Sequence, residues 1–189
     1  MDDRIIGICC SQLHCGATLL YPTDTIWGIG CDATDAAAVE KVYSIKQRDH
    51  SKSMLILCAD MAMVEVFVGP VGEKGREELL NAARPTTVIL PLRSGRLASN
   101  LVAADGTIGV RIPQMDFCQR LLVRFGRPLV STSANLSGQP SPASYAEISE
   151  VVRNAVEFCV PESYEQKTAG RPSRIVKLAS DGSIVVIRD

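Results

Sequence analysis

Residues 17–33 read ATLLYPTDTIWGIGCDA: two apolar runs, ATLLYP (17–22) and WGIGCDA (27–33), around a polar centre. Both runs have the residue types of buried strands. A tight reversal between them would call for Gly or Asn, where the backbone turns through positive φ. The chain places Pro22, Thr23, Asp24 and Thr25 there instead. Pro22 fixes the backbone as it leaves the strand, the two threonines can donate or accept, and Asp24 accepts. Such residues cap and shape loops more often than they bind ligands. By itself the stretch marks a polar loop at a strand end.

Outward from this loop, helical and strand-like segments alternate. Apolar positions at helical spacing predict a helix over 4–15, ended by Gly16, and another over 35–46 with Thr34 or Asp35 as N-cap. SMLILC (53–58) reads as a short buried strand, followed by helices at 61–68 and 73–83. TTVILPL (86–92) and TIGVRIP (107–113) are strand-like, and FCQRLLVRF (117–125) is a helix stopped by Gly126. RPLVSTSA (127–134) is a strand running into the loop NLSGQPSP (135–142). A helix at 145–152 and a strand at 156–160 come next. SRIVKL (173–178) and SIVVIRD (183–189) then form a hairpin turned by ASDG (179–182). This alternation favours an α/β sheet with helices packed on it, and one domain over 1–189.

Composition narrows the class. The 189 residues and 46% hydrophobic content suit one medium-sized α/β core. A formal net charge of −1 supplies no global field for nucleic acid or anionic lipid, so any basic site must be local. Residues 1–16 are acidic at the front, and their apolar run is too short for export or membrane spanning. Seven cysteines lack regular spacing and sit mostly among apolar neighbours, as in ILCAD and EFCVP. They read as reduced, buried thiols, so a cytoplasmic protein without membrane contact is expected. Cys9, Cys10, His14 and Cys15 could supply four soft ligands. They lack the Cys-x-x-Cys knuckle of most structural zinc sites, and the helix over 4–15 accounts for them.

Several catalytic patterns are missing from the chain. It has no Gly-x-x-x-x-Gly-Lys-Ser/Thr loop and no Gly-x-Gly-x-x-Gly after a strand. Its two histidines are not near a Gly-x-Ser-x-Gly elbow. Two further polar stretches remain. IKQRDHSK (45–52) carries Lys46, Arg48 and Lys52 at a helix end, where cations suit the helix dipole but could also embrace a polyphosphate. STSANLSG (131–138) brings Ser131, Thr132, Ser133 and Asn135 directly off a strand. In an open α/β sheet that is a good position for ligand binding.

Taken together, YPTDT (21–25), KQRDHSKSM (46–54), ARPTT (83–87), TIGVRIP (107–113) and STSANLSGQPSP (131–142) resemble the YrdC family, the threonylcarbamoyl-AMP synthases. The resemblance runs in family order from about residue 4 to the end. It implies a twisted mixed sheet with flanking helices and a basic concave face, in the single-domain form. It implies synthesis of threonylcarbamoyl-adenylate and pyrophosphate from L-threonine, bicarbonate or CO2, and ATP, with Mg2+ sharing the phosphate charge. The adenylate would feed a tRNA threonylcarbamoyl transferase complex, and any weak tRNA binding would use the same face. A non-catalytic relative that holds tRNA or double-stranded RNA is the competing reading.

Carried over by motif position, the resemblance puts threonine against Thr23, Thr25, Arg111, Ser131 and Ser173. ATP falls to Arg48, Lys52, Thr107, Ser133, Asn135, Ser141 and Arg188, with Lys46, Arg48 and Lys52 as the catalytic cations. No residue stands out as a general base. The chain departs from the family pattern at Asp49 and Ser53, where prolines are usual. Ala83 and Arg84 replace Pro and Gly, and Arg174 replaces Thr. The segment 162–172, with small and polar residues, is expected to act as a lid.

Overall fold

The computed structural model describes residues 3–166, 168, 170–179 and 183–189. Helix α1 (Asp3–His14) buries Ile5, Ile6, Cys9, Cys10 and Leu13, the inward stripe of a 3.6-residue period. Gly16 follows at φ 72°, a left-handed conformation that glycine adopts without strain. Burial and the neighbouring Cys10 push the Cys9 thiol up to about 12, so it stays protonated in the core.

Strands β1 (Leu19–Tyr21) and β2 (Gly28–Gly30) pair antiparallel around the polar loop. Helix α2 (Ala36–Lys46) starts at Asp35, whose carboxylate accepts from the backbone N–H groups of Ala37 and Ala38. Strand β3 (Leu55–Leu57) leads to α3 (Met61–Phe67) and α4 (Glu73–Asn81). Then come β4 (Thr86–Pro91), β5 (Thr107–Arg111), α5 (Asp116–Phe125) and β6 (Leu129–Ser133).

The expected helix at 145–152 is instead a 3-10 turn, Tyr145–Glu147, and a separate helix α6, Glu150–Ala155. Ser149 makes the break, because its side chain accepts from Val152 N and starts a new helix. The strand expected at 156–160 narrows to β7 (Phe158–Cys159). β8 (Arg174–Leu178) and β9 (Ile184–Arg188) form the closing hairpin; Ser180, Asp181 and Gly182 of its expected turn lie outside the described residues.

All nine of these strands form one sheet in the order β7-β1-β2-β6-β3-β5-β4-β8-β9. The pairs β1–β7, β3–β5 and β4–β8 are parallel and the rest antiparallel, so the sheet is mixed and mostly antiparallel, with helices flanking it. β6 is the hinge of the topology. Its first half pairs with β3 and its last residues with β2, so one short strand joins the two halves. The approach is close: a Cβ on Gly30 would lie 2.0 Å from the Val130 carbonyl oxygen, so only glycine fits. Among the described residues no helix is long and apolar enough to cross a membrane.

Candidate active site

The ends of β2, β5, β6 and β8 and the loop after β1 surround one cavity of about 250 Å3. Thr23 and Thr25 enter from the loop, Arg111 from the end of β5, and Ser131 and Ser133 from β6. Ser173 and Arg188 approach from the terminal hairpin, Thr107 from the start of β5, and Arg48 and Ser141 from loops at the mouth. Ten of the sequence-derived site residues therefore meet in one hollow although they span 165 positions, from Thr23 to Arg188. Lys46, Lys52 and Asn135 stand outside the lining.

The loop's hydroxyl protons have fixed directions. Thr23 Oγ1 donates to the Ile26 carbonyl at 2.7 Å, which uses its only proton. In its 2.9 Å contact with Thr25 Oγ1, Thr23 must therefore accept. Thr25, its proton spent on Thr23, accepts from Arg111 Nη1 at 3.0 Å. Thr25 thus has acceptor capacity left for a ligand N–H or O–H. Pro22 and the two threonines, buried rather than exposed as in a simple turn, preset this geometry.

Arg111 is only 3% exposed, and its Nη1 lies 2.9 Å from Asp24 Oδ1. Its Nε is buried without a hydrogen-bond partner. Across the cavity Thr87 Oγ1 and Ser173 Oγ share a 2.8 Å hydrogen bond, and Arg188 donates to the Ser173 carbonyl from Nε at 3.2 Å and from Nη2 at 2.7 Å. Burial and the nearby Arg111 lower the pKa of Arg188. Arg48 Nε and Nη2 donate to the Lys52 and Ser53 carbonyls at 2.8 and 3.0 Å, and burial lowers its pKa too. The lining thus carries three guanidinium groups and, among the described residues, no carboxylate. Such a lining suits an anion.

The remaining predicted residues act behind this surface. Lys46, 1% exposed at the end of α2, donates from Nζ to the carbonyls of Ser133 and of Asn135, the latter at 2.7 Å. Its own carbonyl accepts from Ser137 N at 2.8 Å. Asn135 Nδ2 bonds the carbonyls of Leu136 and Gln139, at 2.9 and 2.8 Å. Together they set the path of the chain as it leaves β6. Lys52 is exposed and contributes its carbonyl to Arg48. Of the segment expected as a lid, Glu165 accepts from Trp27 Nε1 and Tyr145 N, and Thr168 donates to the Thr25 carbonyl; Lys167 and Ala169 lie outside the described residues.

Burial, and secondarily Arg48, hold the Lys46 ammonium down to about 8 from its ordinary 10.5. Between these values the unfolded chain binds the proton and the folded chain does not, so stability rises as pH climbs from about 8 to 10.5. Lys46→Met should remove this slope from the pH dependence of unfolding free energy. If ATP is the ligand, as the resemblance implies, the variant should also raise the KM for ATP by about tenfold or more, since a misplaced positioning group can cost up to a hundredfold. A wild-type slope in the variant would reassign the titration to another group.

Sequence reasoning left out Asp24, which pairs Arg111, and Thr87, which fixes Ser173. Both lie inside quoted motifs, YPTDT and ARPTT, so the residues were visible. Their partners, 87 and 86 positions away, were not.

A mixed α/β sheet with an arginine- and hydroxyl-lined hollow at its strand ends is the class of site that suits an anionic ligand. The comparisons narrow this to a family. The Sua5/YciO/YrdC model, described as telomere recombination, matches residues 11–189, and the chain belongs to that family. It is 34% identical over 155 residues to the threonylcarbamoyl-AMP synthase of Chromohalobacter salexigens, covering 82% of this chain and 83% of that one. It is 31% identical over 186 residues to the threonylcarbamoyl-AMP synthase of Pseudoalteromonas translucida, covering 97% of both. Among solved structures, a P. abyssi Sua5 variant superposes with a TM-score of 0.89 at 26% identity, covering all of this chain. This chain spans 57% of that Sua5 chain's length.

Proposed function

We propose that this protein is a threonylcarbamoyl-AMP synthase, acting as one YrdC-like domain over 1–189. The observation that carries the proposal is the single hollow in which Arg48, Arg111 and Arg188 meet a set of hydroxyls with, among the described residues, no carboxylate in the lining. Relatives named threonylcarbamoyl-AMP synthase cover most of the chain and support the same reading. L-threonine would sit in the deep end, its carboxylate on Arg111 and its amine or hydroxyl donating to Thr25, with Ser131 and Ser173 close by. ATP would lie across the mouth. Its phosphates would face Arg48 and Arg188, and Thr107, Ser133 and Ser141 would contribute hydroxyls.

The chemistry asks little of the protein in bond making. The threonine amine adds to CO2 and loses a proton, giving a carbamate; starting from bicarbonate, that proton leaves with the expelled hydroxide as water. A carbamate oxygen then attacks the α-phosphorus of ATP, and pyrophosphate departs. Alignment in a fixed hollow and guanidinium charge on the phosphoryl oxygens would supply the acceleration. Among the described residues the lining offers no carboxylate to a divalent ion, so Mg2+ would enter on the triphosphate of ATP. The adenylate would pass to a tRNA threonylcarbamoyl transferase complex, with the cytoplasm as the compartment. The free thiols support that compartment.

The test is exchange of labelled pyrophosphate into ATP. Exchange should require L-threonine and bicarbonate together. Exchange without threonine, or none with the full substrate set, would refute the assignment.

A further inference from the structure

Arg111 enters the cavity already held on one side. Its Nη1 faces Asp24 Oδ1 at 2.9 Å and donates to Thr25 Oγ1 at 3.0 Å, while Nε has no partner. Asp24 is itself anchored, because its Oδ2 accepts from Gln114 N at 3.0 Å, just beyond the end of β5. One carboxylate from the loop after β1 therefore ties down both Arg111 and the chain that follows it. Asp24 does not line the cavity. A guanidinium presents its donors in a rigid planar fork, so committing Nη1 decides which edge is free. That edge is the one carrying Nε.

We propose that Asp24 is a positioning residue that turns the free edge of Arg111 toward the carboxylate of the amino-acid substrate. The proposal rests on the reading of Arg111 as the carboxylate site. Two effects of Asp24 oppose each other. Its negative charge repels an incoming carboxylate, so a charge effect alone would make its removal tighten threonine binding. Loss of position acts the other way, because a bidentate fork must meet both oxygens at once. For a fixed, buried fork the geometric effect dominates, and the sign of the change separates the two.

The experiment is calorimetric titration of the full chain with L-threonine and, separately, with ATP. Asp24→Ala should weaken threonine binding by about tenfold to a hundredfold, the range expected for a displaced positioning contact. ATP binding should stay near wild type. Asp24→Asn should fall between wild type and Ala, since its amide oxygen still places a partial negative charge beside Nη1 while the full ion pair is lost. If the Ala variant does not fold, the Asn variant carries the comparison and must be weaker than wild type for threonine alone. Unchanged or tighter threonine binding, or parallel loss of threonine and ATP, overturns the proposal. Arg111→Ala separates the two layers. Wild-type threonine binding there removes the carboxylate reading itself; loss there with intact binding in the Asp24 variants removes only the positioning role.

Discussion

Arg111→Ala should reduce pyrophosphate exchange by at least about a hundredfold, the scale seen when a preorganised charged contact to the reacting complex is lost. It should also destabilise the protein. Arg111 and Asp24 are both largely buried, with side chains 3% and 10% exposed, and truncating one partner leaves the other's charge uncompensated. Breaking such a pair costs about 3 kcal/mol or more. For a chain of this size that is a fall in Tm of about 6–12 °C. The two losses can be separated. Arg111→Gln combined with Asp24→Asn removes both charges, so it should recover much of the Tm while leaving exchange as low as in Arg111→Ala. Thermal unfolding and exchange measured on the same preparations check this. Recovery of exchange together with stability would mean that Arg111 serves only the fold.

Arg48→Ala should behave differently. Arg48 lines the mouth of the cavity and holds the carbonyls of Lys52 and Ser53, and among the described residues it has no buried counter-charge to strand. Exchange should fall by about 10²–10³-fold through loss of charge stabilisation on the phosphates. Threonine affinity should remain near wild type, and Tm should move little. The effect should appear in the ATP dependence of kcat/KM. Arg48→Lys should restore only part of it, since a lysine supplies a point charge without the planar fork. An Arg48→Ala enzyme with wild-type exchange would move the triphosphate away from the mouth.

Taken together, these expected outcomes would divide the hollow into an amino-acid end and a nucleotide end. Arg111, Thr25 and Asp24 form one rigid unit between β5 and the loop after β1. Arg48 and Arg188 are held by backbone carbonyls nearer the opening. Lys46 belongs to neither end. As a buried ammonium under the β6 exit, it holds Ser133 and Asn135 in place, a role that its position beside Arg48 in the sequence did not suggest.

Most strand and helix positions were legible because each carries its own periodicity. The stripe of α1 at Ile5, Ile6, Cys9 and Leu13, the N-cap at Asp35 and the stop at Gly126 are local facts, decided within a few residues. The helix expected at 145–152 fails for an equally local reason: the cap at Ser149 starts a separate helix there. The polar residues of the hollow were also visible as types. The sequence by itself determined that Thr25, Arg111, Ser131 and Ser173 exist at strand ends and resemble one family's motifs. Only the tertiary structure decided their partners: Asp24 beside Arg111, Thr87 beside Ser173, and Lys46 beneath Ser133. Those pairings depend on the strand order β2-β6-β3-β5-β4-β8, which joins segments far apart in the chain, and no local propensity encodes which strand lies next to which.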